Sequence, residues 1–170
     1  GKLVDANGKQ MHIEFLLYQK SFERIVLPYT RNLQKIGIST EVRVVDVSQY
    51  VNRVQNFDFD MVVGSFGQSS SPGNEQRDFW GSKAAEHTGS RNIIGVNSPV
   101  IDSLIEAVIA AEDRQALIDA TRALDRVLLW SYYVVPQWHL NAWRVAYWDK
   151  LKRPERNPKY ALGLDSWWVE

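Results

Sequence analysis

The chain contains no cysteine among its 170 residues. Disulfides, thiolate zinc sites and a thiol nucleophile are excluded on that ground alone. Charge of one sign is also lacking, because 20 basic and 20 acidic residues cancel. A nucleic-acid footprint needs a strong basic excess, so no nucleic-acid partner is expected. No apolar run reaches the length of a membrane span. Gly1-Lys2-Leu3 opens without Met, without a basic n-region and without an apolar h-region, so no signal peptide is visible. A start of that kind suggests an excised fragment and leaves location open. The three His are scattered, with no HExxH spacing, so neither a metal nor another cofactor is expected. Gly64-x-x-Gly67 lacks the Lys of a phosphate loop and the third Gly of a dinucleotide fingerprint.

What is present suits one soluble domain with a real core. Hydrophobic residues make up 45% and charged residues 24%, both ordinary proportions. Tryptophan is the exception. Of the seven, six stand at or after residue 130 (Trp130, Trp138, Trp143, Trp148, Trp167 and Trp168). That density means core, an interface or an aromatic-lined pocket.

Periodicity orders the first half. Met11 to Tyr18 alternates and then becomes wholly apolar, as a strand does. Ser21 is placed to cap a helix in which Phe22, Ile25, Tyr29, Leu33 and Ile36 recur, with a kink expected at Pro28 and a stop at Gly37. Ser39 to Val47 is a second strand, Ser48 to Gln55 a short helix, and Phe57 to Gly64 a third strand. The order β-α-β-α-β predicts a parallel sheet. Further on, Ser98-Pro99 opens a helix whose buried stripe is Ile101, Leu104, Ile105 and Val108. Another follows from Glu112-Asp113, with Leu117, Thr121, Leu124 and Leu128 on one face and alternating Asp and Arg on a solvated one. Tyr132 to Pro136 leads into an extended segment over 137–148. Residues 149–160 form a charged, proline-broken connector before the Trp167-Trp168 tail. Two parts are therefore expected: an α/β part over 1–148, and a connector with a Trp-rich tail over 149–170.

The third strand empties into Ser65-Phe66-Gly67-Gln68-Ser69-Ser70-Ser71-Pro72-Gly73-Asn74-Glu75-Gln76-Arg77. A loop of hydroxyls, amides, glycines and one Arg at the carboxyl end of a buried strand is where an α/β fold holds its ligand. Ser65, Phe66, Gln68, Ser69, Asn74 and Arg77 are the candidate ligand-facing residues. Arg77 could grip a carboxylate or phosphate, or pair with Asp78 or Glu75 on a surface turn. The segment 138–143 adds a second set. Trp138, Leu140 and Ala142 face one way and His139, Asn141 and Trp143 the other; Trp138, His139 and Asn141 are the candidates there, against a core or inter-domain role. Ser69-Ser70-Ser71 misses the final Gly of a nucleophile elbow, and no His can be placed beside it. Asp58 and Asp60 point to one face of their strand and could hold a cation or be a solvated strand end. Lys150, Lys152, Arg153, Arg156 and Lys159 are diluted by acids and prolines and read as a solvated linker.

Four pieces together resemble the C-terminal lobe of family 5 extracellular solute-binding proteins, which serve ABC importers of peptides. They are Leu33-Gln34-Lys35-Ile36-Gly37-Ile38 before a Val-rich strand, Phe57-Asp58-Phe59-Asp60-Met61, Asn97-Ser98-Pro99-Val100-Ile101-Asp102-Ser103-Leu104-Ile105, and Tyr133-Val134-Val135-Pro136. The loop from Phe66 to Arg77 is similar to the microcin C and oligopeptide-binding subgroup (the YejA type). The resemblance implies a periplasmic-binding-protein type II-like lobe, a mainly parallel sheet flanked by helices. It implies a periplasmic, non-catalytic protein that binds oligopeptides or modified peptides between two lobes and delivers them to ABC permease subunits. The missing N-terminal lobe of the same protein would be a further partner. Family members commonly place an Asp in this loop to hold the peptide ammonium terminus. Ser65 to Ser70 carries no acid, so a modified or blocked peptide could fit. The alternatives are a protein-interaction module built on the Trp-rich segment and a serine hydrolase using one of Ser69 to Ser71.

Overall fold

The computed structural model describes residues 1–138, 142–159 and 161–170. The chain forms two compact units, Gly1–Val134 and Val135–Glu170, whereas the sequence carried the lobe to residue 148.

In the first unit β1 (His12–Leu17), α1 (Glu23–Lys35), β2 (Ser39–Val44), α2 (Val47–Gln55) and β3 (Met61–Val62) follow in turn. Their strands make a three-stranded sheet in the order β2-β1-β3, and β1 is parallel to both neighbours. The alternating stretch read as β1 becomes fully buried over Phe15, Leu16 and Leu17 because it is the central strand. Phe15, Leu17 and Val26 form a core with Ile13, Phe22, Tyr29, Leu33, Val42 and Met61 around it. Of the predicted stripe, Phe22, Tyr29 and Leu33 thus face the sheet, whereas Ile36 is 64% exposed.

α1 continues through Pro28. It ends as the Gly37 stop signal requires. Gly37 takes φ 88°, donates to Gln34 O, and Ile38 donates to Leu33 O (3.0 and 3.1 Å), which is the paired closure of a Schellman motif. A Cβ on Gly37 would stand 2.5 Å from Leu3 N, so the amino-terminal segment also needs glycine there. Ser21 caps nothing: it lies inside a 3-10 turn, Lys20–Phe22, that feeds α1. β2 stops at Val44 rather than Val47, because Asp46 caps α2 by accepting from Gln49 N at 2.9 Å.

β3 is shorter than the predicted strand from Phe57 to Gly64. Phe57 sits at φ 56°, and Asp58 N returns to Arg53 O at 2.9 Å, closing the end of α2. Asp60 Oδ2 then accepts from the β1 amide of Glu14 at 2.8 Å, taking the place a longer β3 backbone would fill. Asp58 binds Arg53 Nε at 2.8 Å. The two aspartates are thus used structurally, and no metal-ligand cluster occurs among the described residues. Arg53 also lies 2.7 Å from Glu14 Oε1, a close ion pair without hydrogen-bond alignment.

Beyond the loop come α3 (Glu75–Trp80), α4 (Ser82–Ala85), α5 (Pro99–Ile109) and α6 (Arg114–Trp130). Here lies a second core of Phe79, Trp80, Val96, Ile101, Ile105, Val108 and Leu124. The predicted stripes of α5 and α6 supply most of it. Ser98 holds the N-cap position of α5 without a side-chain cap bond; its amide donates to Ser82 Oγ at 3.0 Å. Asp113 caps α6 by accepting from Ala116 N at 2.8 Å. On the solvated face of α6 no Asp–Arg ion pair forms among the described residues. Asp119 accepts from Gln115 instead, and Arg114 reaches Ser70 O at 2.9 Å.

Among the described residues, the second unit carries one antiparallel pair, β4 (Leu151–Lys152) with β5 (Trp168–Val169). Tyr147 and Trp167 meet edge to face, centroids 4.8 Å apart.

Candidate functional site

Parallel strands place all their carboxyl ends at one edge, and the loop from Val63 to Asn74 leaves that edge after β3. The loop is tied down at both ends by side chains. At its start Phe66 packs on Trp80 (centroids 4.6 Å apart, 41° between planes) and edge-on to Phe79 (5.8 Å, 89°). Phe66 therefore anchors the loop to the helical core. Arg91 lies over the other aromatic, 4.3 Å from the Phe79 centroid.

At the far end the organiser is a residue sequence reasoning passed over, Glu75. Its Oε1 accepts from Gly73 N (3.0 Å), Gln68 Nε2 (3.0 Å) and Gln76 Nε2 (3.2 Å). Gln76, itself buried, also donates to Gln68 Oε1 at 2.6 Å. Gln68 is thereby held by both ends of its amide. Donation from Gln68, followed by the amides of Glu75, Gly73 and Gln76, holds the Glu75 carboxyl down at about 2 against the opposing effect of burial. A carboxylate that accepts several hydrogen bonds resists protonation. The stabilisation is present above the ordinary carboxylate range and lost as pH falls toward 2. Glu75→Gln keeps the shape and an acceptor oxygen for the three donors, which all reach Oε1, but removes the charge that strengthens those bonds. Amide exchange at Gly73 is expected to speed up about tenfold, equivalent to about 1.4 kcal/mol of local opening. Unchanged exchange would show that the loop is held elsewhere.

The remaining candidates fall in three places. Ser65, Gln68 and Ser69 are exposed on the loop. Ser69 Oγ donates to Ser71 O (3.1 Å) and accepts from Ser71 N (3.2 Å), a local turn. Asn74 and Arg77 stand together: Arg77 Nη1 donates to Asn74 Oδ1 at 3.0 Å, while Nε and Nη2 reach both oxygens of Glu106 at 2.7 and 2.5 Å. The Arg77 partner is thus Glu106 of α5, not Asp78 or Glu75. The pair raises Arg77 and lowers Glu106. Trp138 belongs to the second unit and is exposed; His139 and Asn141 lie outside the described residues. The other His worth placing is His12, whose Nδ1 is 3.1 Å from Ser39 Oγ across β1 and β2. It sits at the amino ends of the strands, the edge opposite the loop.

These features match known proteins. The chain is 53% identical to the uncharacterized protein y4wM of Sinorhizobium fredii, over 95% of this chain and 24% of the relative. It is 48% identical to a probable peptide-binding protein, YejA, of Agrobacterium fabrum, over 96% of this chain and 27% of the relative. Over nearly its whole length the chain is thus homologous to one part of these YejA-type proteins. A further Agrobacterium fabrum relative, the peptidoglycan-binding protein YepA, is 39% identical over 99% of this chain and 27% of its own. The chain therefore spans about a quarter of the length of the curated relatives it matches. No family model matches the chain. Among solved structures, it superposes on the oligopeptide-binding protein AppA of Bacillus subtilis, in complex with a nonapeptide. The TM-score is 0.71 at 21% identity, over 98% of this chain and 33% of that one. A periplasmic oligopeptide-binding protein of Thermotoga maritima, with mannohexaose bound, gives 0.77 at 21% identity, over 96% and 34%. The fold is thus an α/β periplasmic-binding-protein type II-like lobe.

Proposed function

We propose that this chain forms part of an extracytoplasmic receptor for oligopeptides or modified peptides, and that the receptor delivers them to the permease subunits of an ABC importer. The ligand lies between two lobes, of which this is one, and the protein binds without catalysis. The observation that carries this reading is the loop at the carboxyl edge of the sheet, where exposed Ser65, Gln68 and Ser69 offer amide and hydroxyl groups to a peptide backbone. Phe66, Asn74 and Arg77 set the position of that loop. Trp138, His139 and Asn141 are the second set. The names of the relatives and neighbours support the class of ligand: a peptide for two, peptidoglycan for a third, and an oligosaccharide bound to an oligopeptide-binding protein for a fourth. A peptide with a blocked or glycan-modified end fits a loop whose one acid, Glu75, is already held by Gly73 N, Gln68 and Gln76.

Exposed apolar residues also fit a lobe that meets another part of its own protein. Trp130 and Tyr132 are 71% and 78% exposed at the end of α6, and we propose that the remaining part of the longer receptor covers them. The test uses the full-length protein purified without denaturation, its extract analysed by mass spectrometry. Recovered peptides or peptide conjugates are the expected result. An empty extract, with no tryptophan fluorescence change on adding a peptide pool, would overturn the reading in favour of an interaction module.

A further inference from the structure

The carboxyl edge holds a feature that the loop does not explain. β1 ends at Leu17, paired with Val44, and its Leu16 is paired with Val62. Tyr18 follows directly on β1, and Val63 and Gly64 follow directly on β3, so Tyr18 and the start of the loop leave the parallel sheet at the same edge. Its ring meets Tyr50 of α2, centroids 4.7 Å apart and planes tilted by 49°. Tyr18 is 43% exposed, and Tyr50 is half-buried. Neither phenol hydroxyl has a hydrogen-bond partner among the described residues. Val47 and Val51 share the Tyr50 face of α2 at helical spacing and are exposed too.

A partly exposed aromatic pair whose hydroxyls have no hydrogen-bond partner among the described residues, on the carboxyl edge of a parallel sheet, is poorly accounted for by the core. The sheet core is closed by Phe15, Leu17 and Val26 without it. Burial, helped by Tyr18, raises the ionisation of Tyr50, so the Tyr50 ring stays neutral across the physiological range. The pair offers an aromatic guest both edge-to-face contact and a hydroxyl.

We propose that Tyr18 and Tyr50 form a platform for an aromatic side chain of the bound peptide, beside the loop that takes its backbone. The proposal rests on the peptide-receptor reading above and adds side-chain selectivity to it.

The test uses the full-length protein and calorimetry with two peptide series, alanine peptides of increasing length and the same series with a single phenylalanine. The unmodified protein is expected to prefer a phenylalanine peptide over its alanine counterpart by about 3- to 10-fold, the range a stacked aromatic contact supplies. Tyr18→Leu and Tyr50→Leu abolish that preference and leave the alanine series unchanged. Tyr18→Phe retains most of it, which separates stacking from misfolding. Binding of both series without preference overturns the platform alone. So does a preference that survives both leucine variants, or an equal loss on both series, which would assign Tyr18 to packing against the rest of the receptor. Failure of every peptide to bind the unmodified protein overturns the platform together with the peptide reading.

Discussion

Asn92→Ala lowers the stability of the lobe by about 2–5 kcal/mol, and its melting temperature by roughly 5–15 °C. Asn92 is fully buried beside Val96. Its Nδ2 donates to Gly81 O at 3.1 Å and Val96 O at 2.8 Å, and its Oδ1 accepts from Val96 N at 2.9 Å. Alanine removes all three bonds. Gly81 O keeps the amide of Ala84 at 3.0 Å, but both backbone groups of Val96 lose their side-chain partner inside the core. Each buried group left unpaired costs about 1–3 kcal/mol. Asn92→Asp does no better, since the carboxylate still accepts from Val96 N but sets negative charge against two carbonyls. Thermal unfolding followed by circular dichroism checks both variants. A loss below about 1 kcal/mol would mean that water reaches Val96 and replaces the side chain.

The period of the apolar residues made β1, α1 and β2 legible, because Phe15, Leu17, Val26 and Val42 meet in one core. β3 is shorter than its alternation predicts, for a reason no period contains. Phe57 adopts φ 56°, and the Asp60 side chain substitutes for backbone at Glu14 N. An alternating Phe-Asp-Phe-Asp stretch looks like a strand whether its aspartates face water or stand in for the ladder. The loop itself was legible from its hydroxyls and amides. Its internal wiring was not. Glu106 lies 29 residues from Arg77 and meets it only because α3 and α5 pack together. Glu75 folds back over seven residues to Gln68, and read in sequence it is one more acid at a helix start. The Tyr18–Tyr50 contact joins a strand end to the next helix but one, a juxtaposition that follows from strand order rather than from local pattern.

Trp80→Ala carries the second large effect and connects the core to the site. Trp80 is 9% exposed, and its ring is shared between Phe66 (4.6 Å) and Phe79 (6.3 Å). Truncation leaves a cavity the size of an indole in the core built by Ile101, Ile105 and Leu124. Such a deletion costs about 3–5 kcal/mol. It also removes the wall against which the loop is anchored, because Phe66 retains only its edge contact with Phe79. Hydrogen exchange over residues 65–69 is therefore expected to rise more than exchange in β1, which lies in the other core. Trp80→Phe keeps a ring in the cluster and costs about 1–2 kcal/mol, with a smaller rise in loop exchange. Peptide affinity of the full-length receptor follows the loop: it falls with Trp80→Ala under conditions where the protein remains folded, and much less with Trp80→Phe. A stability loss with loop exchange unchanged would show that Phe79 alone positions Phe66. The proposed peptide-backbone site would then be independent of the tryptophan.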